Sequence, residues 1–162
     1  ISFITKQLED PKDLLELYCG CGAFTLPLSS KFNKVFATEN NRHSIRLLKE
    51  SIKLNDVSNI DTARLSDDET ASALANDRPF RRLENIDMKS YEFSHILVDP
   101  PRAGLSAETI NLSRKFKNMI YISCNTETFL RDIVNLNRKI DSISIFDQFA
   151  NTKHLEVVAF LK

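Results

Sequence analysis

The sequence predicts an α/β fold, a mainly parallel sheet with helices on both faces and an antiparallel pair of strands late in the chain. Short segments rich in apolar and β-branched residues alternate with helix-length segments, the pattern of repeated strand–helix units. The last two strand-like segments have no helix between them, so they should pair antiparallel. Glu39, Asp99 and Cys124 each fall just after a predicted strand. That delivers them to the carboxyl edge of one sheet, where such sheets bind ligands.

The elements follow in order. Asp13-Leu14-Leu15-Glu16-Leu17-Tyr18 reads as the first strand, then Cys19-Gly20-Cys21-Gly22, then a helix starting within Ala23 to Leu28. Lys34 to Thr38 is the second strand, with side chains that fit a pleated surface. Asn41 to Leu54 carries Ile45, Leu47, Leu48, Ile52 and Leu54, a spacing nearer to helical than to alternating. Ile60 to Leu65 is the third strand, and Ser66-Asp67-Asp68-Glu69 opens a helix with a cap and an acidic first turn. Asp77 to Tyr91, with Arg78, Arg81, Arg82 and Lys89, reads as a long polar loop, a kind of segment that is usually functional or disordered. His95 to Val98 is the fourth strand, Ser106 to Phe116 a helix, Met119 to Ser123 the fifth strand and Thr126 to Leu136 a helix. Ile140 to Phe146 alternates as a strand, and His154 to Leu161 is the last. No repeat, low-complexity stretch or boundary interrupts this, so residues 1–162 are expected to form a single domain.

Composition narrows the classes. At 162 residues and 18.5 kDa, the chain is long enough to build its own core. Lys plus Arg and Asp plus Glu are each 22, which excludes a globally basic nucleic-acid binder but leaves a local basic face open. No apolar run approaches the roughly 20 residues that cross a bilayer, and no secretory signal pattern opens the chain. Three cysteines, Cys19, Cys21 and Cys124, do not make a disulfide framework, so free thiols in a reducing cytoplasm are expected. Cys19 and Cys21, with His43, His95 and His154 scattered, have no metal-ligand spacing; the two cysteines read as small side chains under a tight turn. The chain opens on Ile, and is expected to be a piece of a longer protein.

Two clusters carry chemistry. Gly20-x-Gly22 follows a strand and precedes a helix, where glycine allows a sharp turn and close approach to a ligand. A dinucleotide fingerprint would need a third glycine where Thr25 stands, which weakens a nicotinamide reading. Glu39 ends the second strand, where a carboxylate can accept both hydroxyls of a ribose. At the other end, Asp99-Pro100-Pro101-Arg102 holds a carboxylate on a stiff turn. Cys124 stands between a strand end and a helix start, where the helix N-terminus stabilises negative charge on a nucleophile. Glu156 supplies a late carboxylate that could act as a general base.

Together, Leu14-Leu15-Glu16-Leu17-Tyr18-Cys19-Gly20, Asp99-Pro100-Pro101-Arg102-x-Gly104, Ile122-Ser123-Cys124-Asn125 and Phe146-Asp147-Gln148-Phe149 to His154-x-Glu156 closely resemble the RNA 5-methyluridine methyltransferases. Phe80 to Tyr91 looks like the branch that modifies tRNA rather than ribosomal RNA. The resemblance implies a Rossmann-like S-adenosylmethionine-dependent methyltransferase fold and a T-loop uridine as target. It assigns Cys124 as nucleophile and Glu156 as general base, and assigns Tyr18, Glu39 and Asp99 to the cofactor beside Gly20 and Gly22. Ala23 takes a cofactor-binding position where the tRNA branch carries Asn. It further implies an N-terminal RNA-binding part that this chain lacks. A ribosomal-RNA enzyme, or an inactive cofactor-binding fragment, is the alternative. Arg78, Arg81, Arg82, Arg102, Arg114, Lys115 and Lys117 are candidate phosphate contacts.

Overall fold

Seven strands form one sheet in a computed structural model that describes residues 1–75, 77–148, 151–152 and 155–162. The strands are β1 (Asp13–Leu17), β2 (Lys34–Thr38), β3 (Ile60–Ala63), β4 (Phe93–Val98), β5 (Asn118–Ser123), β6 (Ile140–Phe146) and β7 (Glu156–Leu161). Their order across the sheet is β3-β2-β1-β4-β5-β7-β6. The first five run parallel, and β7 runs antiparallel to both of its neighbours, β5 and β6. The expected antiparallel pair is therefore present, with β7 inserted between β5 and β6.

The helices are α1 (Ser2–Gln7), α2 (Thr25–Ser29), α3 (Arg42–Leu54), α4 (Asp67–Leu74), α5 (Ala107–Ser113) and α6 (Thr126–Leu136). Alternate strand residues serve opposite faces. Leu15, Leu17, Phe36, Ile96, Val98, Met119 and Tyr121 face α5 and α6 through Ile110, Leu112, Phe129 and Leu136. Leu14, Val35, Ala37, Leu97, Ile120 and Ile122 face α1, α2 and α3 through Ile4, Leu28, Ile45 and Leu48. Because both faces are covered, the central strands are apolar throughout rather than alternating, as parallel strands require.

Local chemistry explains the boundaries. Pro27 lies in the first turn of α2, where its missing N–H loses no bond. Asn41 caps α3 by accepting from the backbone N–H groups of His43 and Ser44. Ser66 and Glu69 form a reciprocal capping box on α4, whose first turn holds Asp67, Asp68 and Glu69.

Four features differ from expectation. The segment 77–91 is not a free polar loop: Arg81–Leu83 and Met88–Ser90 are single 3₁₀ turns, and Phe80, Leu83, Ile86, Met88 and Tyr91 pack on the core. Helix α1, unforeseen, buries Ile4 against the sheet. The first strand stops at Leu17, because Tyr18 takes a positive φ of 58° that turns the chain out of the sheet. The last strand begins at Glu156; His154 lies outside the described residues.

Candidate active site

The carboxyl edge of the parallel strands collects the chemistry. From β1, Tyr18 and the glycine loop emerge; from β2, Glu39; from β4, Asp99; from β5, Cys124. Glu156 reaches the same edge for a different reason. It is the first residue of an antiparallel strand whose next residue, Val157, pairs with Ser123, the residue before Cys124.

Gly20 (φ 54°) and Gly22 (φ 93°) shape the loop after β1. A Cβ at Gly20 would meet nothing within 4 Å, so the loop leaves open space there. A Cβ at Gly22 would come within 2.4 Å of Leu48 Cδ1, in the core under α3. The Glu39 carboxylate joins two loops, accepting from Gly20 N at 3.1 Å and from Asn41 N at 2.7 Å.

Three carboxyl groups stand in electrostatic contact across the edge. Glu16 is buried in the middle of β1, and burial pushes its carboxyl up to about 8, with the nearby Thr25 hydroxyl opposing and Asp99 adding to the rise. Among the described residues neither Glu16 Oε2 nor Thr25 Oγ1 has a hydrogen-bond partner. Asp99 is raised to about 7, first by burial and then by the Glu156 carboxylate. Burial also raises Glu156. The Glu156 carboxylate thus disfavours a second negative charge on Asp99. Such a set of reluctant acids favours a ligand that brings positive charge.

Cys124 is half-buried and unpaired by disulfide. It directly precedes Asn125, whose side chain caps α6 by accepting from Glu127 N and donates to the Arg102 carbonyl at 3.0 Å. Thr128 donates to the same carbonyl, Arg131 to that of Ala103, and Asp132 accepts from Leu105 N at 2.8 Å. The turn after Asp99 is thereby fastened to the helix that follows Cys124. These fasteners were not foreseen; an Asn directly before a helical segment was the available signal.

The other candidate side chains are engaged in different ways. The Tyr18 hydroxyl donates to Asp67 at 2.7 Å and lies 3.1 Å from Thr109 Oγ1, so that side chain is engaged under α4 and α5. Ala23 is exposed and has no polar side-chain atom. Arg114, Lys115 and Lys117 precede β5 at the opposite edge, and Arg114 donates to the Asn135 carbonyl. Arg82 pairs with Glu69 at 2.7 Å, and Arg78 lies over the Phe80 ring. Cys19 is buried, which raises its thiol pKa. Among the described residues no helix is long and apolar enough to cross a membrane.

Comparison with known proteins agrees with this architecture. A sequence model of the family described as tRNA (uracil-5-)-methyltransferase matches residues 2–162. A tRNA/tmRNA (uracil-C(5))-methyltransferase of Nitratiruptor sp. is 50% identical over 98% of this chain and 44% of its own length. That of Campylobacter concisus is 48% identical over 100% of this chain and 45% of its own length. The chain thus spans less than half the length of these curated relatives. Among solved structures, a Pyrococcus abyssi tRNA (uracil-54, C5)-methyltransferase in complex with S-adenosyl-L-homocysteine superposes with a TM-score of 0.78 at 29% identity, over 99% of this chain and 36% of the other. A Streptococcus thermophilus rRNA methylase shares the fold at 10% identity, with a TM-score of 0.70 over 99% of this chain and 92% of the other. With a match running from residue 2 to residue 162, the chain belongs to the tRNA (uracil-5-)-methyltransferase family.

Proposed function

We propose that residues 1–162 are the catalytic domain of an enzyme that methylates C5 of a uridine in tRNA, in the T-loop, through a covalent bond between Cys124 and C6 of the base. The observation that carries this reading is the insertion of β7. With β7 running back beside β5, its first residue, Glu156, lies at the same end of the sheet as Cys124, which supports a reading in which nucleophile and base address adjacent carbons of one ring.

The cofactor is S-adenosyl-L-methionine, and the residues present fit it. Gly20 leaves open space, Glu39 ends β2 beside it, and a cationic ligand would draw the raised Asp99 and Glu156 carboxyls back toward their charged forms. The polar contacts proposed are Gly20, Gly22, Glu39 and Asp99, with Tyr18 and Ala23 contributing through backbone and apolar contact. When bound, the cofactor supplies an electrophilic methyl group and departs as the neutral thioether.

The protein supplies the rest. C5 of uracil is a poor nucleophile, and attack by the Cys124 thiolate on C6 pushes the C5–C6 π electrons toward O4, making C5 nucleophilic. Once C5 carries the methyl group, Glu156 removes the C5 proton. The electrons of that C–H bond re-form the C5–C6 double bond and expel the thiolate. The burial that raises the Glu156 carboxyl also makes it a stronger base once ionised. In a folded RNA the target base must be turned out of its stack to reach this edge.

The test is intact-mass spectrometry on the chain mixed with S-adenosylmethionine and tRNA containing 5-fluorouridine. Fluorine at C5 cannot leave as a proton, so an adduct on Cys124 should accumulate. Its absence would mean that this domain does not perform the reaction unaided.

A further inference from the structure

At the β3 border of the sheet, beyond Glu39 and on the side away from Cys124, an open groove of about 1170 Å³ runs between α3, the end of β3 and the turn at 81–85. Arg42, Arg46, Lys49 and Lys53 line it from α3. At about 100° per residue these four fall within about 60° of one another, on a stripe about 16 Å long. Arg64, Arg81 and Arg82 face them from the other side, with Glu50 as the one acidic residue of the lining. So 7 of the 22 cationic side chains meet 1 of the 22 acidic ones in a single groove of a chain with zero net charge.

Folding does not explain this concentration. The outer face of an amphipathic helix usually mixes signs, which supports the helix through i,i+4 pairs. Here only Arg46 and Glu50 make such a contact, at 3.8 Å. The first turn of α3 holds no acid and carries Arg42, which is unfavourable at the positive end of a helix dipole. Among the described residues Arg42, Lys49, Lys53, Arg64 and Arg81 make no ion pair. A row of unneutralised cations along a trough suits a linear polyanion.

We propose that this groove takes the phosphate backbone of the substrate RNA, as a docking surface separate from the reaction centre. The proposal rests on the tRNA reading above. Four strand spacings of about 4.8 Å separate β3 from β5, so the groove lies about 19 Å across the sheet from Cys124. It shares no lining residue with the glycine loop, Glu39, Asp99, Cys124 or Glu156. The RNA contacted there is a different stretch from the one that presents the reacting base.

The test measures binding of a tRNA transcript to the chain between 50 and 200 mM salt. The variant R46Q/K49Q/K53Q is compared with K6Q/K31Q/K139Q, which removes the same charge at exposed positions outside the groove. Each lost phosphate contact lowers the slope of log K against log salt by about 0.7–0.9. Three lost contacts mean that wild-type affinity falls about 20–40-fold more than the groove variant's over that range. The control variant should keep the wild-type slope, and both variants should bind S-adenosylhomocysteine as wild type does. Equal losses in both variants, no change in the groove variant, no tRNA binding by wild type, or groove-dependent binding to anionic lipid vesicles but not tRNA would each overturn the proposal. The fluorouridine adduct separates the two readings. An adduct with unchanged tRNA binding in the groove variant refutes the groove alone; a groove-dependent slope without adduct refutes the chemistry alone.

Discussion

Replacing Gly22 with alanine should destabilise the fold far more than the same change two residues earlier. At Gly22 the new Cβ would lie 2.4 Å from Leu48 Cδ1 and 3.6 Å from both Leu48 Cγ and Leu26 Cδ1. Leu48 is fully buried and cannot retreat without moving the core beneath α3. The backbone at φ 93° adds a conformational cost of about 1–2 kcal/mol for any L side chain, and overpacking adds about 1–3. The sum, about 2–5 kcal/mol, corresponds to a fall in Tm of about 4–20 °C for a chain of this size. At Gly20 nothing lies within 4 Å, so Gly20→Ala should cost only the conformational part, about 1–2 kcal/mol. The new methyl there would enter the space assigned to the cofactor and weaken S-adenosylhomocysteine binding by about tenfold or more. Urea unfolding followed by calorimetric titration measures both effects. If Gly22→Ala proved no less stable than Gly20→Ala, the packing argument would fail. If Gly20→Ala bound the ligand normally, the loop would not be the cofactor's cradle.

The remaining predictions concern the acids and the thiol. Cys124→Ala should abolish methyl transfer while leaving cofactor affinity within a few-fold; turnover by this variant would remove Cys124 from the chemistry. Glu156→Gln should methylate but fail to release, so a covalent RNA complex should accumulate on denaturing gels; free methylated RNA at the normal rate would count against the assignment. Asp99 is raised from 3.8 to about 7 in the fold, so the stability tied to its protonated form is complete below about pH 4 and lost as pH climbs through 7. Asp99→Asn should therefore gain urea resistance relative to wild type at pH 8 compared with pH 5, and a pH-independent difference would contradict the burial argument. Asp132 is fully buried and accepts from Tyr121 at 2.6 Å and Leu105 N at 2.8 Å. Asp132→Ala should cost about 2–5 kcal/mol in urea unfolding, and adding Tyr121→Phe should recover part of it by removing one orphaned donor.

Much of this was legible in the chain because apolar runs in central parallel strands are hard to mistake. Leu14, Leu15 and Leu17, then Ile96 to Val98, and Met119 to Ile122 mark strands covered on both faces. The glycine loop was legible because Gly20 and Gly22 stand between a strand and a helix. The segment 77–91 misled for a physical reason. Its anchors Phe80, Leu83, Ile86, Met88 and Tyr91 are spaced two or three apart among charges, a rhythm that belongs to successive turns rather than to a helix or strand. Helix α1 is too short for a period to emerge. Glu16 and Asp132 look like surface charges in sequence and are buried in the fold, since what decides burial is the layer above them and not their own polarity. The α3 stripe was visible in principle, because positions 42, 46, 49 and 53 repeat at helical spacing. It was missed because the overall charge balance draws attention away from where the charges lie.

The insertion of β7 has a consequence for how the molecule comes together. β6 touches the sheet only through β7, and β7 holds both β5 and β6 in register. The polypeptide must therefore run out to form β6 and return to fill the gap before that side of the sheet can close. Until it does, β5 is an open border with unsatisfied backbone groups, and Glu156 is not yet at the end of the sheet that holds Cys124. Ordering of that border and assembly of the proposed reaction centre therefore depend on the same strand. The five parallel strands and the glycine loop, by contrast, do not depend on that strand for their pairing.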